Sequence, residues 1–296
     1  MDWAPVTSRT DVIAAFAPAK INLFLHVGEK RSDGFHDLES LVVFADIGDT
    51  LTFSPSSELT LTLEGRFAQR LGAEDDNLVL RAARALAKRV GRPAAAAIRL
   101  TKELPVASGI GGGSADAAAV LRGLTRLWEL DLSWAELRAV AKTIGSDVPV
   151  CVESKSSWME GRGERVTAAS ALPLISMLLV NPGIAVSTAD VFRGLTSRHG
   201  TDTISRTLPL SLPRELIAFL KSTSNDLQAP AQRIAPAIGV VLDELSRMPG
   251  AELWRMSGSG ATCFALFEDQ DSAEMAEIAL SRTHPDWWVK ATRIVS

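Results

Sequence analysis

Pro105-Val106-Ala107-Ser108-Gly109-Ile110-Gly111-Gly112-Gly113-Ser114-Ala115-Asp116-Ala117-Ala118-Ala119 is the stretch from which the rest of the chain can be read. It places four glycines in five residues, between a predicted strand at Ile98–Thr101 and a helix predicted through Trp128 on Ala118, Leu121, Leu124 and Trp128. Glycines let backbone approach a ligand closely. The start of a helix adds unpaired N–H groups and the positive end of its dipole. Together they make a cradle for phosphate oxygens that needs no lysine. The same cluster also fits a tight turn with close helix packing. A Walker A loop requires Gly-Lys-Ser/Thr, and here Ser114 follows Gly113 directly. The dinucleotide fingerprint requires a third glycine where Ser114 stands, and it belongs beside an N-terminal strand. Neither pattern fits.

Upstream, the first third reads as strands. Val12–Ala17 is a short apolar run, and Ile21, Leu23, Leu25 and Val27 alternate with Asn22, Phe24 and His26. Lys20 and Asn22 therefore project to the same side. Leu38–Phe44, Leu51–Phe53 and Leu59–Leu63 are further strands, separated by Gly48-Asp49 and Pro55-Ser56 as turns. A helix on Leu78, Ala82, Leu86 and Val90 begins after Asp75-Asp76 and is stopped by Gly91 and Pro93. Ser133 with Glu136 forms a capping box for another helix, ending at Gly145.

Downstream, a strand at Ile175–Val180 leads to Asn181-Pro182-Gly183, and a helix starts at Ser187. One long helix is predicted over Gln228–Ser246, then a strand Ala261–Phe267, a helix Asp271–Arg282 and a strand Trp287–Val295. Without strict βαβ alternation the class is α+β. A change of texture near residues 153–160 divides the chain into 1–155 and 156–296.

The 296 residues carry a net charge of −4, so no global basic field recruits nucleic acid or an anionic membrane. Apolar residues at 46% suffice for a core. The two cysteines, Cys151 and Cys263, lie in apolar runs and offer neither zinc spacing nor a disulfide framework. Met1–Thr10 lacks the pattern of a secretory signal, and the apolar run Leu172–Val180, broken by Pro173 and Ser176, is too short to span a bilayer. A soluble, cytoplasmic protein is expected.

Three further sites carry chemistry. Lys20, in Ala17-Pro18-Ala19-Lys20-Ile21-Asn22, stands at a strand entry where a solvated lysine is the commoner case. Asp147, in Gly145-Ser146-Asp147-Val148-Pro149, follows a helix terminator and suits a turn or cap as well. Ser257-Gly258-Ser259-Gly260-Ala261 is a tight loop feeding a strand, either a plain turn or a second anion nest.

In this order and spacing, Pro18-Ala-Lys20-Ile-Asn22-Leu, the Pro105–Ala119 segment and Ser257-Gly-Ser-Gly-Ala-Thr262 resemble the three motifs of the GHMP kinases. Arg31-Ser-Asp-Gly34-Phe35-His36-Asp37-Leu38, Asp76-Asn77-Leu78, Gly145–Val150, Gly161-Arg-Gly163-Glu164 and Asn225-Asp226-Leu227 resemble the branch that phosphorylates a cytidine-diphosphate-linked methylerythritol. That resemblance implies an N-terminal domain like the second domain of ribosomal protein S5 and a smaller ferredoxin-like C-terminal domain. The active site would lie in the cleft between them. The expected partners are small molecules, ATP and the cytidine substrate, with no nucleic acid and no membrane.

The resemblance also implies roles. Asp147 is the base for the substrate hydroxyl, and Lys20 holds it ionised and positions that hydroxyl. The segment Pro105–Ala115 wraps the ATP phosphates, and Asn77 lines the nucleotide pocket. Mg²⁺ is expected with ATP; no residue announces itself as a ligand, and Ser114 is the one candidate contact. Phe35 and His36 grip the cytosine, Phe192 forms the opposite wall, and Asn22, Thr188, Gly258 and Gly260 approach the rest of the substrate. The branch more often carries tyrosine at position 35; phenylalanine keeps the stacking face and loses the hydroxyl. The alternatives are a homoserine or mevalonate type of GHMP kinase, which leaves Phe35, His36 and Phe192 without a purpose, and a non-catalytic nucleotide sensor, which has no use for Lys20 and Asp147.

Overall fold

The computed structural model describes residues 12–71, 77–195 and 210–295. The readings placed on Met1–Thr10 and Asp75-Asp76 lie outside them. The N-terminal half comprises β1 (Ile13–Asn22), β2 (His26–Lys30), β3 (His36–Ser54), β4 (Leu59–Glu64), α1 (Leu78–Val90), β5 (Ala96–Thr101), α2 (Gly112–Leu127), α3 (Trp134–Lys142), α4 (Val148–Cys151), β6 (Ser157–Gly161) and β7 (Arg165–Ala168). The remainder comprises β8 (Ser176–Asn181), α5 (Thr188–Arg193), α6 (Pro213–Lys221), α7 (Gln228–Ile234), α8 (Ala237–Ser246), β9 (Ala251–Met256), β10 (Cys263–Phe267), α9 (Gln270–Thr283) and β11 (Trp288–Val295). The class is α+β, as the sequence implies.

β3 is the spine. It pairs antiparallel with β1 and β5 at one end and with β2 and β6 at the other. Gly48-Asp49, expected as a turn between two strands, lies inside this single 19-residue strand. Gly48 serves close approach instead: a Cβ there would lie 2.3 Å from the Ala17 carbonyl of β1. Asp49 is buried and spends one carboxylate oxygen on the N–H groups of Glu103 (2.6 Å) and Leu104 (2.9 Å). Conversely, the alternating run Ile21–Val27 is two strands, because β1 ends at Asn22 and the chain crosses through Leu25, which bridges to Asn225.

Helix ends follow local chemistry. Asn77 caps α1 by accepting from the Val79 N–H, and Gly91 closes it in the left-handed conformation (φ 67°). Ser133 and Glu136 form the expected capping box of α3. The long helix expected over Gln228–Ser246 is two helices, α7 and α8. Pro236 lacks the N–H for a continuous ladder and pushes Ala235 to φ −134°, ψ 82°.

In the C-terminal half the sheet order is β11-β8-β10-β9, all antiparallel, with β11 continuing onto β3 through Ile294 and Ala45. Alternate residues of β8 face opposite cores. Leu178 and Val180 pack with α8 and α9, whereas Met177 and Leu179 pack with Ile21, Leu23, Phe24 and the α6 residues Leu216 and Leu220. Burial on both faces explains why β8 and β10 read as unbroken apolar runs. β6 and β7 follow residue 155 in the chain, yet β6 pairs with β3 and β7 with β6. The helix α2 lies across β1 and β3, and its buried face of Ala115, Ala118, Ala119 and Leu124 sets its first turn at the mouth of the cleft. Among the described residues no helix is long and apolar enough to cross a membrane.

Candidate active site

The glycine segment meets β1 by backbone: the Lys20 N–H donates to the Ile110 carbonyl at 2.9 Å. Gly111, with φ 63°, caps α2, and a Cβ there would press on the Lys20 side chain at 3.1 Å. Gly109, with φ 78°, touches the second glycine loop, where a Cβ would lie 2.5 Å from the Ser257 carbonyl and 2.7 Å from the Gly260 nitrogen. The two loops are stitched together. Thr262 N–H donates to the Ser108 carbonyl (2.9 Å), and the Ser257 hydroxyl donates to the Gly109 carbonyl (3.1 Å) while accepting from the Asn22 N–H (3.1 Å). Glycine in both loops is thus a packing requirement as well as an opening toward solvent.

Lys20 is buried, and its Nζ donates to Asp147 Oδ2 at 2.9 Å. The two come from β1 and from the residue before α4, 127 positions apart. The Asp147 side chain stays 40% exposed and faces the cleft. Asn22 projects beside Lys20; its amide donates to Ser40 Oγ at 2.7 Å, and its Oδ1 is buried with no hydrogen-bond partner.

Two adjoining cavities share a wall. The first, about 540 Å³, is lined by Lys20, Asn22, Pro105–Gly109, Gly111–Ser114, Asp147, Thr188, Phe192, Gly258 and Gly260, with Leu71, Leu78 and Val106 at an apolar end. The second, about 780 Å³, is lined by Lys30, Phe35, His36, Ser146, Arg162, Phe192 and Arg193. Ser114, Asp147, Thr188 and Phe192 belong to both.

Three expected residues, Ile110, Ala115 and Asn77, fall outside the cavity walls. Ile110 and Ala115 are fully buried and point into the core, so the phosphate segment reaches the cavity only through Pro105–Gly109 and Gly111–Ser114. Asn77 spends its side-chain oxygen capping α1, and its neighbour Leu78 takes the place in the cavity wall. Gly258 and Gly260 line the cavity but press their backbones against Gly109 and Met256. Thr188, in the first turn of α5, bonds Ser259 at 2.8 Å and so ties that helix to the second loop.

At the far end His36 stacks on Phe192, ring centroids 5.7 Å apart, and its Nδ1 lies 3.2 Å from the Gly28 carbonyl. Phe35 is 47% exposed, with the Arg162 guanidinium 3.6 Å over its ring. Arg162 escaped the sequence reading as a site residue. Its signal was the β6–β7 turn Gly161-Arg162-Gly163-Glu164, where Glu164 accepts from the Arg162 N–H at 2.6 Å and fixes the turn.

A second group escaped as well. Lys102, Asp49 and Asp116 are fully buried behind the glycine segment, Lys102 Nζ donating to Asp116 Oδ2 at 2.6 Å and also to Asp49 Oδ2. Burial pushes Asp116 up to about 7, against the attraction of Lys102 and with help from the charge of Asp49. Burial alone would lower Lys102; the two carboxylates outweigh it and leave the ammonium above its ordinary value. An acid set among the alanines of the second turn of α2 is the legible clue, since a buried carboxylate demands a cation. Elsewhere, burial raises Cys151 to about 12, which fits an inert core thiol.

Models of the GHMP kinases N terminal domain and of the GHMP kinases C terminal domain match residues 77–155 and 210–286. The chain is 48% identical over 292 residues to the 4-diphosphocytidyl-2-C-methyl-D-erythritol kinase of Rhodospirillum rubrum, covering 98% of this chain and 95% of that protein. It is 51% identical over 271 residues to the namesake from Granulibacter bethesdensis, covering 90% and 89%. A crystal structure of 4-(cytidine 5'-diphospho)-2C-methyl-D-erythritol kinase superposes with a TM-score of 0.76 at 31% identity, over 96% of this chain and 100% of that one. The homoserine kinase of Cytophaga hutchinsonii, at 18% identity and a TM-score of 0.74 over 99% and 98%, shares the fold. The likeness in sequence over nearly the whole length, together with the shared architecture, establishes that the chain belongs to the 4-diphosphocytidyl-2-C-methyl-D-erythritol kinases of the GHMP kinase superfamily.

Proposed function

We propose that the protein transfers the γ-phosphoryl group of ATP to the 2-hydroxyl of 4-diphosphocytidyl-2-C-methyl-D-erythritol, a step in non-mevalonate isoprenoid precursor synthesis. The observation that carries this reading is the shared wall. Asp147 stands where a cavity floored by the glycine segment opens into one lined by Phe35, His36 and Phe192.

In this scheme the triphosphate lies along Ser108–Ser114, where the first turn of α2 offers N–H donors and a positive dipole end. The apolar end at Leu71, Leu78 and Val106 suits adenine. The cytosine enters between the aromatic residues of the second cavity. Asp147 takes the hydroxyl proton as that oxygen bonds to the γ-phosphorus and the bond to the ADP oxygen breaks. Lys20, 2.9 Å from Asp147, orients the carboxylate and leaves its remaining donors for the reacting oxygen. Phosphoryl transfer leans on charge neutralisation, which Mg²⁺ supplies when bound. Ser114, in the walls of both cavities, offers an oxygen of the kind this cation takes and would hold it beside the nucleotide's own oxygens.

The test is ADP release measured with ATP and each of three acceptors. Turnover with the cytidine substrate and none with homoserine or mevalonate is expected. Turnover with either of those in its place would move the protein to another branch.

A further inference from the structure

We propose that Lys102 is a positioning residue for the nucleotide, its buried ammonium fixing the two ends of the glycine segment and lending positive charge to the phosphates from behind Gly112. The inference rests on the placement of ATP along that segment given above. Lys102 directly follows β5, and its side chain is 2% exposed. A Cβ on Gly112 would lie 3.1 Å from Lys102 Nζ and 3.7 Å from Asp49 Oδ2, so the ammonium is the nearer of the two charges behind the first residue of α2. Lys102 is also in the wall of the nucleotide cavity.

The geometry ties both ends of the segment to one cation. On the entry side, Asp49 of β3 bonds Lys102 and also accepts from the Glu103 and Leu104 N–H groups, the last before Pro105. On the exit side, Asp116 of α2 accepts from the same ammonium at 2.6 Å. Among the described residues Asp116 Oδ1 is buried without a hydrogen-bond partner, so the ammonium is the one cation that holds this carboxylate, against the neighbouring charge of Asp49. A buried cluster of this kind contributes little net stability over apolar packing, and such clusters serve instead to fix one arrangement of the chain. Here the arrangement fixed is the bend that presents backbone N–H groups to anionic oxygens.

The experiment is titration calorimetry of ATP, ADP and adenosine against the full chain, its Lys102→Met variant and its Asp116→Asn variant, with thermal melts of each. Lys102→Met should weaken ATP by about 10- to 100-fold, the range one unit charge exerts a few ångströms beyond contact at an effective dielectric of about 20. The loss should be smaller for ADP and absent for adenosine. Asp116→Asn keeps the shape and the ammonium while removing a carboxylate, so ATP should bind at least as tightly as to the wild type. A loss equal for all three ligands, no loss at all, or an Asp116→Asn loss matching that of Lys102→Met would overturn the proposal. If Lys102→Met does not fold, the double variant Lys102→Met/Asp116→Leu leaves Asp49 its two backbone donors and is compared with Asp116→Asn, which keeps the ammonium; the same graded loss is expected between those two, and equal binding would overturn the proposal. Wild-type protein that binds adenosine as tightly as ATP would instead overturn the placement of the phosphates themselves.

Discussion

Lys20 is buried while the Asp147 side chain keeps two-fifths of its surface open, and in the proposed mechanism that asymmetry divides their work. The buried ammonium is held in place by packing against the glycine segment, and the open carboxylate is free to meet a substrate. Lys20→Met should therefore lower kcat, by roughly 10²-fold or more on the scale of a positioned acid–base group, with little change in the Kd of ATP. An unchanged kcat would reduce Lys20 to a structural residue. At the other end of the cleft, Phe35 offers one face to solvent while Arg162 covers the other. Phe35→Ala should cost about 1–3 kcal/mol in binding of the cytidine substrate, read as a raised KM, and leave the KM of ATP alone. Equal rises in both constants would mean that the two cavities are wrongly assigned.

At the scale of elements, the proposed cradle depends on a glycine backbone that has no room for side chains at Gly109 and Gly111. Gly111→Val introduces a branched residue at φ 63° against the Lys20 side chain and should abolish ATP binding while the rest of the chain still folds; normal ATP affinity in that variant would contradict the cradle. Most helices were legible in sequence because their ends carry chemistry that acts locally: Asn77 and Gly91 for α1, Ser133 and Glu136 for α3, Ser187 for α5. The helix α6 carried such marks, Pro213 in its first turn and Glu215 accepting from the Leu212 N–H, and was passed over. One misreading concerns a segment decided at a distance. Gly48-Asp49 has turn composition, but pairing with β1 on one side and the buried Lys102 on the other keeps β3 straight through it. At Pro236 the local rule was present, and the apolar periodicity on either side of it concealed the break.

At the scale of the whole molecule, the cleft exists because strands of both halves share a sheet and because a few polar side chains lock the seam. We place the division between the halves after Ala168, since β6 and β7 stay with β3. Arg255 of β9 is buried with no carboxylate partner among the described residues, and burial lowers it to about 10. Its guanidinium donates to the carbonyls of Leu23, Leu220 and Thr223, joining the end of β1 to α6 and the loop after it. Arg255→Met would orphan those carbonyls and should lower stability by about 3 kcal/mol, measured by denaturant unfolding, because buried acceptors left without donors lose their full solvation. A variant as stable as the wild type would mean the seam is held by apolar contacts alone. The motifs of the site were legible one by one in the sequence, and their meeting only through the family resemblance: Lys20 and Asp147 are 127 residues apart, and α2, packed against both β1 and α4, brings their elements together. The most direct test of that meeting is single-turnover phosphoryl transfer by Asp147→Asn, with ATP binding measured in parallel. Transfer to the cytidine substrate reduced by about 10²–10⁴-fold at undiminished ATP affinity is the predicted result, and transfer at the wild-type rate would contradict it.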